Sequence, residues 1–298
     1  EAHRLAQNDL VSGNGPTSGS DVTVNHLHYS LLGDPALALN LPMHQIVVDS
    51  INGIPVAGAA TLPMLKAGSI ARMAGHIEGA DDFRGVITAT VRDSKETVTC
   101  RLNDTGKDGA EKAFEYKDRT KTLYQGTDSV RGGKFAFSFA VPLDINYSNQ
   151  SGLVNLYAVN TAKTLSAHGS SEQFTVGESE EQKNDSIGPS IYCYLNSPSF
   201  VDGGNVNTTP FFVAKITDKD GINAAGSGIG HDLQLVIDGD MSKAYVLNSN
   251  FIYDFGTYTS GSTYYSIPQL EPGKHELTFR AWDIQNNSST VKLRFNVV

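Results

Sequence analysis

Tryptophan occurs once and cysteine twice in these 298 residues, and 23 Lys and Arg are outnumbered by 32 Asp and Glu. The formal charge of −9, with no basic patch anywhere, excludes a nucleic-acid backbone as a natural partner. No apolar run approaches the roughly 18 residues that a membrane-spanning helix needs. Two cysteines make no disulfide scaffold and settle nothing about redox compartment. Cys100 and Cys193 sit in the apolar stretches TVTCRL and IYCYL, where buried small hydrophobes are expected. The first residues do not read as a secretory leader, and Glu1 is expected to be the start of a mature or excised segment.

What is abundant is glycine, 29 residues, with 13 Phe and 12 Tyr. That mixture suits short strands joined by turns. The stretch KFAFSFAV (134–141) alternates most cleanly, with Phe135, Phe137, Phe139 and Val141 on one face; such a sheet has one side on a core. Before it come IVVDSINGIPV, an Asn-Gly hairpin, then GSIARMAGHI, GVITATV and TVTCRL; GLVNLYAVN and EQFTV follow. The acidic, aromatic-free stretch GESEEQKNDS marks a linker. Beyond it, IYCYL, TPFFVAKITD, HDLQLVID, YYSI, HELTFRAWD, with Leu277, Phe279 and Ala281 on one face, and VKLRFNVV repeat the pattern of short strands and turns, which matches an immunoglobulin-type β-sandwich. The expected chain is therefore mostly β: a first β-sandwich over 43–177, a linker over 178–188 and a second, immunoglobulin-like sandwich over 189–298. The two halves echo each other, each with a strand ending in proline and a later strand ending in Ala-x-Asn or Ala-x-Asp. Asn160 and Asp283, at those ends, are expected to cap turns through backbone N–H groups. Residues 1–42 hold one helix-like and two strand-like pieces, too little to bury a core alone.

Candidate chemistry is sparse. Asp218 and Asp220 in ITDKDGI could hold a calcium ion, helped by Asp185 or Asp283, because calcium takes hard oxygen ligands in a glycine-bearing turn. Side chains capping turns are the simpler alternative, as in DGDMS and NDTGKDG. No other cofactor is indicated. His26 and His28 lie two apart on an expected strand, on one face, without a third zinc ligand in view. His231 in GSGIGHDL is expected to be packed and bonded to a carbonyl. Neither cysteine has a base at a readable position, and Asp81 and Asp82 form no spaced acid–base pair. LLGDPAL has one glycine and no Lys-Ser/Thr, so it is a structural turn and not a phosphate loop. No catalytic residue is assigned.

The segment HYSLLGDPALALNLP resembles the stretch that closes the caspase-like domain of gingipain-type cysteine peptidases. VVDSINGIPV, VTCRLND, KTLYQG, GKFAFSFAVPLDINY and the long run ITDKDGINAAGSGIGHDLQLVID resemble more narrowly the C-terminal signal peptidases, or sortases, of the type IX secretion system of Bacteroidetes. The resemblance covers the chain. It implies that residues 1–42 are the end of a caspase-like domain whose His and Cys dyad precedes Glu1. It implies further a non-enzymatic C-terminal segment of a secreted cell-surface hydrolase, a protease at the outer membrane. Its expected role is scaffold or docking, toward other secretion-system surface proteins or the C-terminal sorting domains of cargo. The alternative is a stand-alone adhesin that binds carbohydrate or protein, with Tyr253, Tyr258, Tyr264 and Tyr265 as contact residues.

Overall fold

The computed structural model describes residues 41–101, 112–181, 185–225 and 230–298. The expectations for residues 1–40, including His26, His28 and the Gly33 turn, lie outside the described residues, as does NDTGKDG. Strands dominate. In the N-terminal lobe they are β1 (His44–Ile51), β2 (Ile54–Pro55), β3 (Met64–Ala67), β4 (Ile70–Ile77), β5 (Gly85–Arg92), β6 (Glu96–Thr99) and β7 (Glu115–Asp118). After these come β8 (Thr122–Arg131), β9 (Lys134–Ala140), β10 (Gln150–Ser151), β11 (Leu153–Asn160), β12 (Ser166–Ser171) and β13 (Thr175–Ser179). The C-terminal lobe has β14 (Ser190–Leu195), β15 (Asn205–Val206), β16 (Phe211–Thr217), β17 (Gln234–Ile237) and β18 (Tyr245–Val246). It ends with β19 (Ile252–Tyr253), β20 (Ser260–Ser266), β21 (Gly273–Trp282) and β22 (Ser288–Val297).

The mostly-β expectation holds, but the N-terminal lobe departs from a sandwich. Its main sheet runs β12-β11-β5-β8-β9-β4-β1, and β1 pairs back onto β12 in parallel, so seven strands close into a ring. The reason lies at the closing seam. Gly169 stands where an added Cβ would lie 2.1 Å from the carbonyl oxygen of Ile46, so only a bare backbone lets the two strands meet. Inward residues alternate as the sequence predicts: Phe135, Phe137 and Phe139 are each at most 4% exposed. Ile87, Ala89 and Val91 on β5 and Val154, Leu156 and Ala158 on β11 complete the filled interior. The Asn52–Gly53 turn joins β1 to β2 with both residues at positive φ, as a two-residue hairpin loop requires.

The ring is incomplete at one place. β5 and β8 pair along eight positions, yet β8 and β9 pair only at Val130–Phe135 and Arg131–Lys134 before they diverge. The C-terminal lobe has a four-stranded sheet, β14-β16-β20-β19, and a five-stranded sheet, β15-β22-β21-β17-β18. Phe212 and Phe279 meet between those sheets at 5.2 Å, both fully buried. Leu277, Phe279 and Ala281 face the core as expected. On β22 only Phe295 and Val297 are buried, with Val291 and Leu293 packed at its margin.

Candidate functional site: the seam between the lobes

The split between β8 and β9 is filled from both sides by aromatic rings. Tyr124 on β8 lies 5.1 Å from Phe139 and 6.0 Å from Phe137. From the C-terminal lobe, Tyr253 meets Tyr124 at 5.2 Å and Phe251 edge-on at 4.8 Å. The Tyr253 hydroxyl donates to the Ile222 carbonyl at 2.6 Å. Burial raises both phenols, Tyr124 to about 12 and Tyr253 further, so both stay neutral at any physiological pH. Backbone joins the lobes too, since the Gly256 N–H donates to the Thr127 carbonyl at 2.9 Å. Gly221, at φ +122, brings its chain so close that an added Cβ would sit 2.7 Å from Ala140.

A polar bridge lies beside the rings. Asp144, just after β9, accepts from Asn223 at 3.1 Å and bonds His231 at 2.6 Å. His231 therefore meets a carboxylate of the other lobe and not the expected carbonyl. Its ring also packs on Trp282 at 4.4 Å, and Arg280 stands over the indole at 5.2 Å. The pair is partly exposed, which limits its worth in water. Replacing His231 with Ala leaves Asp144 short of one partner and strips a contact from Trp282. The expected loss is about 1–2 kcal/mol, read as a Tm lower by a few degrees in calorimetry.

Next to the seam is a cleft of about 380 Å³, walled by β8 on one side and by Ala224, Val246, Asn248 and Phe251 on the other. A wider hollow of about 760 Å³ elsewhere on the C-terminal lobe contains two ion pairs, Asp202 with Arg294 and Asp238 with His275.

The candidate calcium ligands do come together. Asp218 Oδ1 accepts from the N–H groups of Asp220 and Gly221, at 2.8 and 3.2 Å, which is a turn cap. The Lys219 ammonium bonds both Asp185 and Asp220 at 3.0 Å. Asp283 caps its own turn, accepting from Gln285 and Asn287, and Asn160 does the same for Thr164 and Leu165. Among the described residues no group of three His, Cys, Asp or Glu side chains is arranged to hold a metal ion. The Lys219 hydrogen bond holds Asp185 below the usual carboxylate range, whereas burial pushes Asp218 and Asp283 up.

A raised carboxylate binds more protons folded than unfolded, so its contribution is full below the ordinary value near ~4 and is lost as pH rises through the folded value. Asp218→Asn keeps the accepting oxygen and removes the charge. The variant is expected to be more stable than wild type at pH 7, with the difference shrinking as pH falls and vanishing below about pH 4. Urea unfolding across pH checks this.

Other expected residues sort unevenly. Cys193 is buried and its thiol pushed up to about 11, the direction opposite to a nucleophile. Cys100 corrects the expectation of burial: it is exposed, one residue beyond β6. Tyr253 is 5% exposed, and Tyr258 and Tyr265 are half-buried; of the four tyrosines Tyr264 alone stands out at 45%. Tyr264 shares the outer face of its sheet with Tyr192 and Phe211, which sequence reasoning missed. The alternation within IYCYL and TPFFVAK carried that signal. Tyr194, Val213 and Tyr264 stand in one row by register.

Across its length the chain is similar to PorU. A crystal structure of dimeric latent PorU from Porphyromonas gingivalis matches 99% of this chain at 32% identity, with a TM-score of 0.52. The match spans 27% of the PorU chain, so this chain corresponds to about a quarter of that protein. No family model matches the chain, and no curated protein does. The similarity to PorU supports the type IX relationship expected from the sequence. No helix among the described residues is long and apolar enough to cross a membrane.

Proposed function

We propose that this chain is the non-catalytic C-terminal part of a cell-surface type IX sortase, serving as a rigid scaffold that positions the enzyme and docks its partners. The observation that carries this reading is the 32% identity to PorU over 99% of the chain. The seam supports a positioning role, because two lobes locked through rings, backbone and an Asp–His bridge can hold a distant domain at a fixed angle. Division into a caspase-like remnant over 1–42 and β modules over 43–177 and 189–298, joined by 178–188, belongs to the same proposal. Separate sheet systems on either side of Ser179 and Ser190 support it. The order β14-β16-β20-β19 with β17-β21-β22 matches the A-B-E-D and C-F-G order of an immunoglobulin domain, which supports that assignment for the C-terminal lobe. Partners on this reading are surface proteins of the secretion system or the sorting domains of cargo, at the outer membrane.

The genomic sequence upstream of the Glu1 codon tests the proposal: a caspase-like domain with a His and a Cys is expected, and its absence overturns the reading. Peptide hydrolysis by the chain itself is expected to be nil. Activity abolished by Cys100→Ala or Cys193→Ala would reverse the non-catalytic part. A second reading, a surface adhesin for carbohydrate or protein, is favoured by one observation, the exposed face of Tyr192, Phe211 and Tyr264. It gains if the upstream domain is absent.

A further inference from the structure

The β8 strand has one edge in the ring and one edge at the split. Thr127 turns its carbonyl to the split, where Gly256 bonds it. By the two-residue repeat of a strand, Gln125 presents its N–H and C=O on that same edge. β9 has left by then, since its ladder with β8 ends at Val130. The C-terminal lobe covers the edge at Thr127 and then gives way to the 380 Å³ cleft, which Thr122, Leu123, Tyr124 and Gln125 line on the β8 side. An uncovered strand edge is a template for another strand. Here the template continues a pairing that the lobe contact has already begun.

Two further observations describe what fits. Tyr124, 3% exposed, presents its phenol ring along the cleft wall. The described lining carries no Asp, Glu, Lys, Arg or His, so a charged side chain entering it would lose water without finding a counter-ion.

We propose that the open edge of β8 at Gln125 is a docking site for one extended, uncharged peptide segment of a partner protein, added to the sheet as an extra strand. A residue of an extended peptide turns its N–H and C=O to one side, which matches both groups of Gln125 when the new strand lies at the ladder spacing of about 4.8 Å. The inference stands apart from the sortase reading, because it needs no upstream domain and no secretion partner.

The experiment follows backbone amides of the full chain by NMR. The probe is a pool of N-acetylated, C-amidated hexapeptides built from Gly, Ala, Ser, Thr and Val. The Gln125 and Thr127 amides are expected to shift saturably, and hydrogen exchange at Gln125 to slow about tenfold. The same pool N-methylated at alternate residues should leave both amides unchanged. Gln125→Pro removes one donor on an edge that makes no ladder bond among the described residues, a place where proline is tolerated, and should abolish the response. Val246→Lys, at a 53% exposed rim position, should weaken it at least fivefold and serves if the proline variant does not fold. No shift at millimolar pool, or an equal shift with the methylated pool, overturns the proposal. So does protection of Gln125 that appears on concentrating the protein alone, which assigns the edge to a second copy, or with maltose, which assigns the cleft to sugar.

Discussion

Tyr253→Ala is expected to remove about 3–5 kcal/mol of stability and to split one unfolding transition into two. The ring is 5% exposed and contacts Tyr124 and Phe251 from opposite lobes of the seam's aromatic stack. Its hydroxyl satisfies the Ile222 carbonyl. Truncation leaves a hole in the split between β8 and β9, and the remaining rings cannot collapse into it while Gly256 stays bonded to Thr127. A domain's whole stability is on the order of 5–15 kcal/mol, so a loss of this size reaches the coupling between lobes. Calorimetry reads both effects. Tyr253→Phe separates the ring from its hydroxyl and should cost about 1–2 kcal/mol, the penalty for one orphaned carbonyl. Tyr264→Ala, on the exposed face, should stay within about 0.5 kcal/mol. A Tyr253→Ala variant that unfolds like Tyr264→Ala would show that the rings do not hold the lobes together.

The contrast between those two tyrosines also marks the limit of what the sequence discloses. Both fall in aromatic-rich stretches, and nothing local distinguishes the one that plugs a ring from the one that faces water. Alternation read correctly where one face meets a core and the other does not: Phe135, Phe137 and Phe139 on β9, and Leu277, Phe279 and Ala281 on β21. Local capping chemistry was equally legible at Asn160 and Asp283, because a short acceptor side chain reaches N–H groups within five residues. Among the strands that escaped detection are β8, with its polar QGTDS, and β12, which reads SAHGSS. Their composition is that of loops, and pairing holds them extended, β8 along β5 and β12 between β11 and β1, a tertiary override of propensity. Since β12 closes the ring and β8 borders its split, missing them made the N-terminal lobe read as a sandwich. The bridge between Asp144 and His231 joins residues 87 apart, and no periodicity within one strand could anticipate it.

Ring closure itself gives the second large effect. The β1–β12 contact consists of two ladder pairs, His44–Ala167 and Gln45–His168, extended by the Met43 N–H to the Ser166 carbonyl at 2.9 Å. Gly169 follows directly, with its missing Cβ 2.1 Å from one backbone oxygen and 2.9 Å from the Cβ of Ile46. Gly169→Val cannot be absorbed by rotating a side chain, because the obstacle is backbone. The strands must separate, which gives up the parallel pairs and exposes the inner edge of β1. Overpacking in a filled core costs about 1–3 kcal/mol, and the lost closure adds to that. The expected variant has a Tm lower by roughly 10 °C and a concentration-dependent tendency to associate through the freed edge. Ser170→Val, one residue on and exposed, puts the same side chain on the outside of the same strand and should change Tm by no more than about 2 °C. Equal behaviour of the two valine variants in thermal unfolding and light scattering would mean that the seven strands do not depend on that seam.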